Sequence, residues 1–133
     1  MGEQENRQTI ERLRESFATG DMKRLYEYYH EDCVQEWPQS GERIRGKATI
    51  LAIEENYPGT PRGELKSATV VGDLGVAHAV LDYGDGKPVY MCAVVEFKDG
   101  KVMKETDYFA YPFEAPEWRA QWVEKMEPAR VGS

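Results

Sequence analysis

The stretch EWPQSGERIRG, residues 36–46, decides how the rest of the chain is read. Its lead-in, Cys33, Val34 and Gln35, is strand-like. Pro38 closes that strand, because proline donates no ladder hydrogen bond. A polar turn follows, then two arginines around Ile44, then Gly46. Upstream, apolar residues recur at helical spacing; downstream, after one more helix, they alternate in the manner of strands. The stretch is therefore a first strand and the junction between a helical third and a sheet. Glu36 beside Trp37 has two readings. Either the pair shapes the mouth of a cavity, or this is an ordinary strand end whose ring packs on a neighbour.

Working outward, Ile10, Leu13 and Phe17 predict a first helix ended by Thr19-Gly20. Asp21 caps a second helix over residues 22–33, with Met22, Leu25, Tyr26 and Tyr29 on one face and His30 near its end. Gly46 precedes a third helix striped by Ile50, Ile53 and Tyr57, which Asn56 and the PGTP segment at 58–61 terminate. Strands are predicted at 65–71, 75–83, 89–97 and 102–111, separated by Gly- and Asp-containing turns. Pro112 ends the last. After Pro116 a short C-terminal helix spaces Trp118, Trp122 and Met126 four apart, which predicts that the tryptophans fold back on the protein or on a dimer mate. Three helices followed by an antiparallel meander make one α+β domain over residues 1–133.

The composition excludes several roles. The 133 residues are 41% hydrophobic and 31% charged, with a formal net charge of -7 and no basic patch, so nucleic acid is not an expected partner. The N-terminal sequence has no apolar signal-like run, and no stretch is long enough to span a bilayer, so the expected setting is cytoplasmic and off the membrane. Cys33 and Cys92 are read as reduced thiols rather than a disulfide. His30 and His78 lack metal-ligand spacing, and no cofactor motif is present, so neither metal nor cofactor is expected.

Two passages carry a family resemblance: YYHEDCVQEWPQSGERIRGKATI, residues 28–50, and DGKVMKETDYFAYPFEAPEWRAQWVE, residues 99–124. They resemble the NTF2-like superfamily, and within it the SnoaL-like proteins, over nearly the whole chain. The resemblance implies a cone: a curved antiparallel sheet wrapped around three N-terminal helices, with a cavity between them. It also implies a homodimer through the outer face of the sheet. Fold alone does not choose among the isomerases, cyclases, dehydratases and epoxide hydrolases that share it.

Period-two alternation splits the last strand into Met103, Glu105, Asp107 and Phe109 on one face and Val102, Lys104, Thr106 and Tyr108 on the other. The resemblance implies that the acidic face is the inner one. Asp107 and Glu105 are then candidate general acid–base groups, since a like charge and an apolar wall both raise a carboxyl pKa. Glu36 is a candidate second acid. Trp37, Tyr26, Tyr29, Phe17, Met91 and Phe109 are the expected ligand-binding residues. Epoxide hydrolases of this kind need an arginine and an aspartate where Met91 and Ala93 stand, so their water-activating constellation is missing. The expected function is binding of a small apolar organic molecule, with an isomerase-, cyclase- or dehydratase-like step at a pocket carboxylate. The alternative is a ligand-binding or dimerising module without catalysis.

Overall fold

The computed structural model describes residues 2–59 and 61–132, so Thr60 of the expected PGTP terminator lies outside the described residues. Three helical segments lead into and flank one six-stranded sheet. Helix α1, Glu3–Thr19, is followed by α2, Met22–Leu25, a 3-10 turn at Tyr26–Tyr28, and β1, Tyr29–Trp37. Then come β2, Glu42–Arg45, and α3, Lys47–Asn56. Strands β3, Arg62–Val71, β4, Leu74–Asp82, β5, Pro88–Lys98, and β6, Lys101–Ala110, complete the sheet. The strand order is β2-β1-β6-β5-β4-β3. The sheet is curved and open, and its ends do not close into a barrel.

The second helix is far shorter than helical spacing suggested. Asp21 caps it as expected, its side chain accepting from the Arg24 N–H at 3.1 Å. The chain unwinds at Tyr26 and is already extended at Tyr29. Tyr26 and Tyr29 still meet, with ring centroids 4.6 Å apart, because the 3-10 turn eclipses residues three apart. His30 therefore sits on a strand rather than closing a helix, its Nε2 2.9 Å from the Lys98 carbonyl oxygen. The arginines flanking Ile44 lie on strand β2, antiparallel to β1, and Ile44 is buried there.

The sheet is mixed rather than wholly antiparallel. β1 runs parallel to β6, pairing Gln35 with Glu105 and Glu36 with Thr106; the other neighbours are antiparallel. Strand β6 also breaks strict alternation. Phe97 pairs with Val102 and Glu96 with Lys104, leaving Met103 as one extra residue. Val102, placed by alternation with Lys104 and Thr106, is instead fully buried on the same side as Glu105 and Asp107.

Helix α1 is tied across the sheet by its polar residues. The Asn6 amide donates to the Gly72 carbonyl at 2.9 Å, and the Thr9 hydroxyl donates to the Gly100 carbonyl at 2.6 Å, reaching two different hairpin turns. Ile10 and Leu13 join Leu25, Tyr26, Tyr29, Ile50 and Val102 in one apolar core. The C-terminal segment departs from expectation. It forms a 3-10 turn, Glu117–Trp122, and leaves Trp118 and Trp122 each 72% exposed and Met126 90% exposed. Beyond them the chain returns to β3, where Lys66 donates to the Arg130 carbonyl at 2.7 Å. Among the described residues, no helix is long and apolar enough to cross a membrane.

Candidate functional site

Helices and sheet enclose a cavity of about 490 Å³. Its walls are mostly apolar, and side chains from α1, the Tyr26–Tyr28 turn, α3 and the concave face of the sheet reach it. Gly63 on β3 makes room for one wall. A Cβ there would fall 2.2 Å from the Phe17 ring, so the missing side chain lets that ring lie directly on the strand.

The opening question about Glu36 and Trp37 resolves through strand geometry. Gln35 and Trp37 point into the cavity, and Glu36, between them, points out. Pro38 ends β1, and the Gln39 side chain then continues the ladder. Its amide nitrogen donates to the Phe109 carbonyl at 2.6 Å, and its amide oxygen accepts from the Phe109 N–H at 2.5 Å. That double contact fixes β1 against β6 at the cavity's edge. Trp37 is held there, its Nε1–H donating to Asp107 Oδ2 at 3.3 Å.

Asp107 and Glu105 both line the cavity, and both are nearly inaccessible, at 3% and 6% exposure. Their surroundings differ. Glu105 is held on both oxygens: the Tyr29 hydroxyl donates to Oε1, and Gln35 Nε2 donates to Oε2 at 3.2 Å. Gln35 also reaches the Tyr26 oxygen at 3.2 Å. Asp107 has only the Trp37 indole; its Oδ1 is buried and receives no donor. Burial raises the Asp107 pKa well above the usual carboxylate value, and the charge of neighbouring Glu105 raises it further. Burial raises the Tyr26 and Tyr29 phenols in the same way, reinforced by Glu105. Those hydroxyls therefore stay protonated, that of Tyr29 committed to Glu105 while that of Tyr26 accepts from Gln35.

Of the residues expected from sequence, Asp107, Glu105, Trp37, Tyr26, Tyr29 and Phe17 meet at the cavity, together with Met91 and Phe109. Glu36 does not. Its carboxylate lies on the outer face, 2.7 Å from Arg43 and 3.4 Å from Lys104, and the hydrogen bond from Arg43 lowers its pKa. Ala93 is the cross-strand partner of Asp107 and Met91 that of Phe109, so no charged side chain of β5 faces the acid.

Several lining residues escaped the sequence reading, Gln35 and Glu54 among them. Gln35 is 2% exposed and organises Glu105; pairing it with Trp37 at period two would have found it. Glu54 lies on α3 among the cavity-lining residues, and burial followed by the charge of Glu105 raises its pKa. Its signal was present: it follows Ile50 by four and precedes Tyr57 by three, a charge set into an apolar stripe. Among the described residues, no three His, Cys, Asp or Glu side chains are grouped to hold a metal ion. Cys33 and Cys92 are unpaired, and burial pushes the Cys33 thiol up to about 11.

Known proteins place this architecture. An NTF2-like protein of unknown function from Burkholderia xenovorans is 36% identical, with 94% of this chain and 98% of that one covered and a TM-score of 0.83. A Kribbella flavida protein provisionally named a ketosteroid isomerase is 25% identical over 96% of this chain and 93% of its own, also at 0.83. An epoxide hydrolase from M. tuberculosis shares the fold at 20% identity, with 80% and 83% covered and a TM-score of 0.63. No curated protein matches the chain. The SnoaL-like domain matches residues 10–105, most of the framework around the cavity though stopping just short of Asp107. On that match the chain belongs to the SnoaL-like family, built on the NTF2-like fold.

Proposed function

We propose that the cavity binds a small, mostly apolar organic molecule and that Asp107 moves a proton on it, in an isomerase-, dehydratase- or cyclase-like step. One observation carries the reading: Asp107 is buried against the cavity with one oxygen unpartnered, beside a second acid whose own oxygens are both engaged. Glu105 cannot turn toward a ligand without giving up Tyr29 and Gln35. Asp107 can. Its raised pKa makes it a stronger base when ionised and a resident acid when protonated.

In the simplest sequence, ionised Asp107 takes a proton from a carbon beside a carbonyl, and the C–H electron pair moves toward the carbonyl oxygen. Protonated Asp107 then returns that proton to another atom of the same skeleton. If the return is to carbon, the result is isomerisation; if it is to a departing hydroxyl, water is lost. Either way the carboxyl ends as it began. Tyr26 and Tyr29 stay protonated throughout, and Trp37 keeps the carboxyl oriented. Apolar Met91 and Ala93 on β5 argue against an epoxide-hydrolysing version, since no second acid or arginine of that strand can activate water.

The test needs no substrate. Asp107 should titrate above the ordinary carboxylate range by carboxyl-carbon NMR. A carboxyl titrating at its ordinary value would remove the reading.

Homodimerisation fits the outer face of the sheet, where Val71, Leu74, Val76 and Tyr108 are exposed together with Cys92. A reducing, cytoplasmic setting fits the two unpaired thiols.

A further inference from the structure

The charge of the cavity wall is one-sided. Glu54, Glu105 and Asp107 line it, and no Lys, Arg or His among the described residues does. Glu105 is satisfied by Tyr29 and Gln35, so it is spoken for. The Glu54 side chain has no hydrogen bond or ion pair among the described residues, and Asp107 Oδ1 receives no donor although the residue is almost fully buried. A buried acidic wall left without countercharge is costly unless something supplies it.

Aromatic rings complete the arrangement. Tyr57, just past the end of α3, and Tyr83, just past β4, stand with ring centroids 5.7 Å apart at 40°, and both line the cavity. Glu54 lines the same cavity, and its charge adds to burial in raising both phenols. Two ring faces beside an unpartnered carboxylate form the environment that weakly hydrated organic cations prefer over water. A metal ion fits poorly, since the three carboxyls are not grouped as ligands. An anionic molecule would meet no cationic side chain among the described lining residues.

We infer that the ligand is a lipophilic cation, an apolar molecule bearing a protonated or quaternary amine, with its nitrogen seated between Glu54 and the rings of Tyr57 and Tyr83. The inference rests on the proposed pocket and narrows what enters it: the apolar body extends toward Asp107, and the charged end stays with α3.

A pH dependence follows, and its sign separates a cation from a neutral guest. In the free protein, Glu54 faces Glu105 and Asp107 from β6, Tyr26 from the turn before β1, and Tyr57 and Tyr83 near the rim. None of these groups is cationic, and burial with Glu105 holds the Glu54 proton on to higher pH. A bound cation reverses that, so binding releases protons and tightens as pH rises through the raised carboxyl range. A neutral guest that accepts a hydrogen bond from a protonated carboxyl shows the opposite slope.

The experiment compares two probes of one shape, phenyltrimethylammonium and tert-butylbenzene, by NMR titration of wild type and Glu54→Gln. Each is titrated near neutral pH and at about pH 5. Wild type should prefer the cation by ~tenfold near neutrality. That preference should shrink at the acid end, and Glu54→Gln should lose it while still taking up tert-butylbenzene. Equal affinity for both probes in wild type overturns the cation inference and leaves the proposed pocket standing. A cation preference that survives in Glu54→Gln overturns the assignment to Glu54. No binding of either probe removes the inference and the pocket reading together.

Discussion

Glu36 and Asp107 lie on adjacent strands of one sheet and face opposite ways. On the convex side, Glu36 sits in water between Arg43 and Lys104, and its pKa falls. On the concave side, Asp107 is sealed among apolar walls with another acid for company, and its pKa rises. Both are carboxylic acids, and their backbones lie close together in the β1–β6 ladder, where Glu36 pairs with Thr106. Solvent and countercharge alone separate a surface ion pair from a carboxyl that holds its proton well above the usual carboxylate range. A strand one residue thick is enough to keep those environments apart, because its side chains alternate across it.

The strongest way to break the comparison is at the inner acid. Asp107→Asn should lower the rate of whatever reaction the cavity supports by ~100-fold or more, the usual worth of a positioned acid or base, with ligand affinity much less affected. Steady-state kinetics splitting kcat from KM would show it. Next comes the support of its neighbour. Tyr29→Phe removes the hydroxyl that donates to Glu105 and leaves a buried acceptor short of a partner, at a cost of about 1–3 kcal/mol measured by urea denaturation.

A smaller effect has a diagnostic sign. The folded protein holds the Asp107 proton more tightly than the unfolded chain, so folding is favoured below the ordinary carboxylate pKa and that contribution is lost as pH rises through the raised one. Asp107→Asn should therefore raise Tm above neutral pH and do little in acid. An equal shift at both ends would mean that packing, not ionisation, set the difference. The least effect is expected outside: Glu36→Gln should leave activity and Tm unchanged within error, because its partners Arg43 and Lys104 remain hydrated. A measurable loss of turnover there would erase the distinction between the two faces.

Much of this layout was legible in the residues. Ile10, Leu13 and Phe17 announced α1, and the Gly- and Asp-containing turns divided the sheet. The misreadings have physical causes. Met22, Leu25, Tyr26 and Tyr29 keep helical spacing across a turn that is only briefly helical, since a 3-10 turn and the start of a buried strand can present the same face. Strand β2 is four residues long with one buried side chain, too short for alternation to register. The parallel β1–β6 pair is a long-range contact that no local pattern encodes. Trp118 and Trp122 were expected, from their size and spacing, to fold back on the protein or on a dimer mate, yet among the described residues each stays 72% exposed. At the site, the aromatic and acidic residues were visible as types. Gln35 and Glu54 were passed over because each sits in a segment first assigned on other grounds, one to a strand and one to an apolar stripe.

One feature of β6 reaches further than its geometry. Met103 is the unpaired residue that lets Val102 and Glu105, three apart, share the concave side. Moved from before Glu105 to beyond Asp107, the same extra residue would bring Lys104 and Thr106 inward and send both acids to solvent, with not one amino acid exchanged. An acid-lined chamber and one bearing a lysine and a threonine can thus be written in the same letters. What separates them is phase, the point along the strand at which the alternation skips a beat.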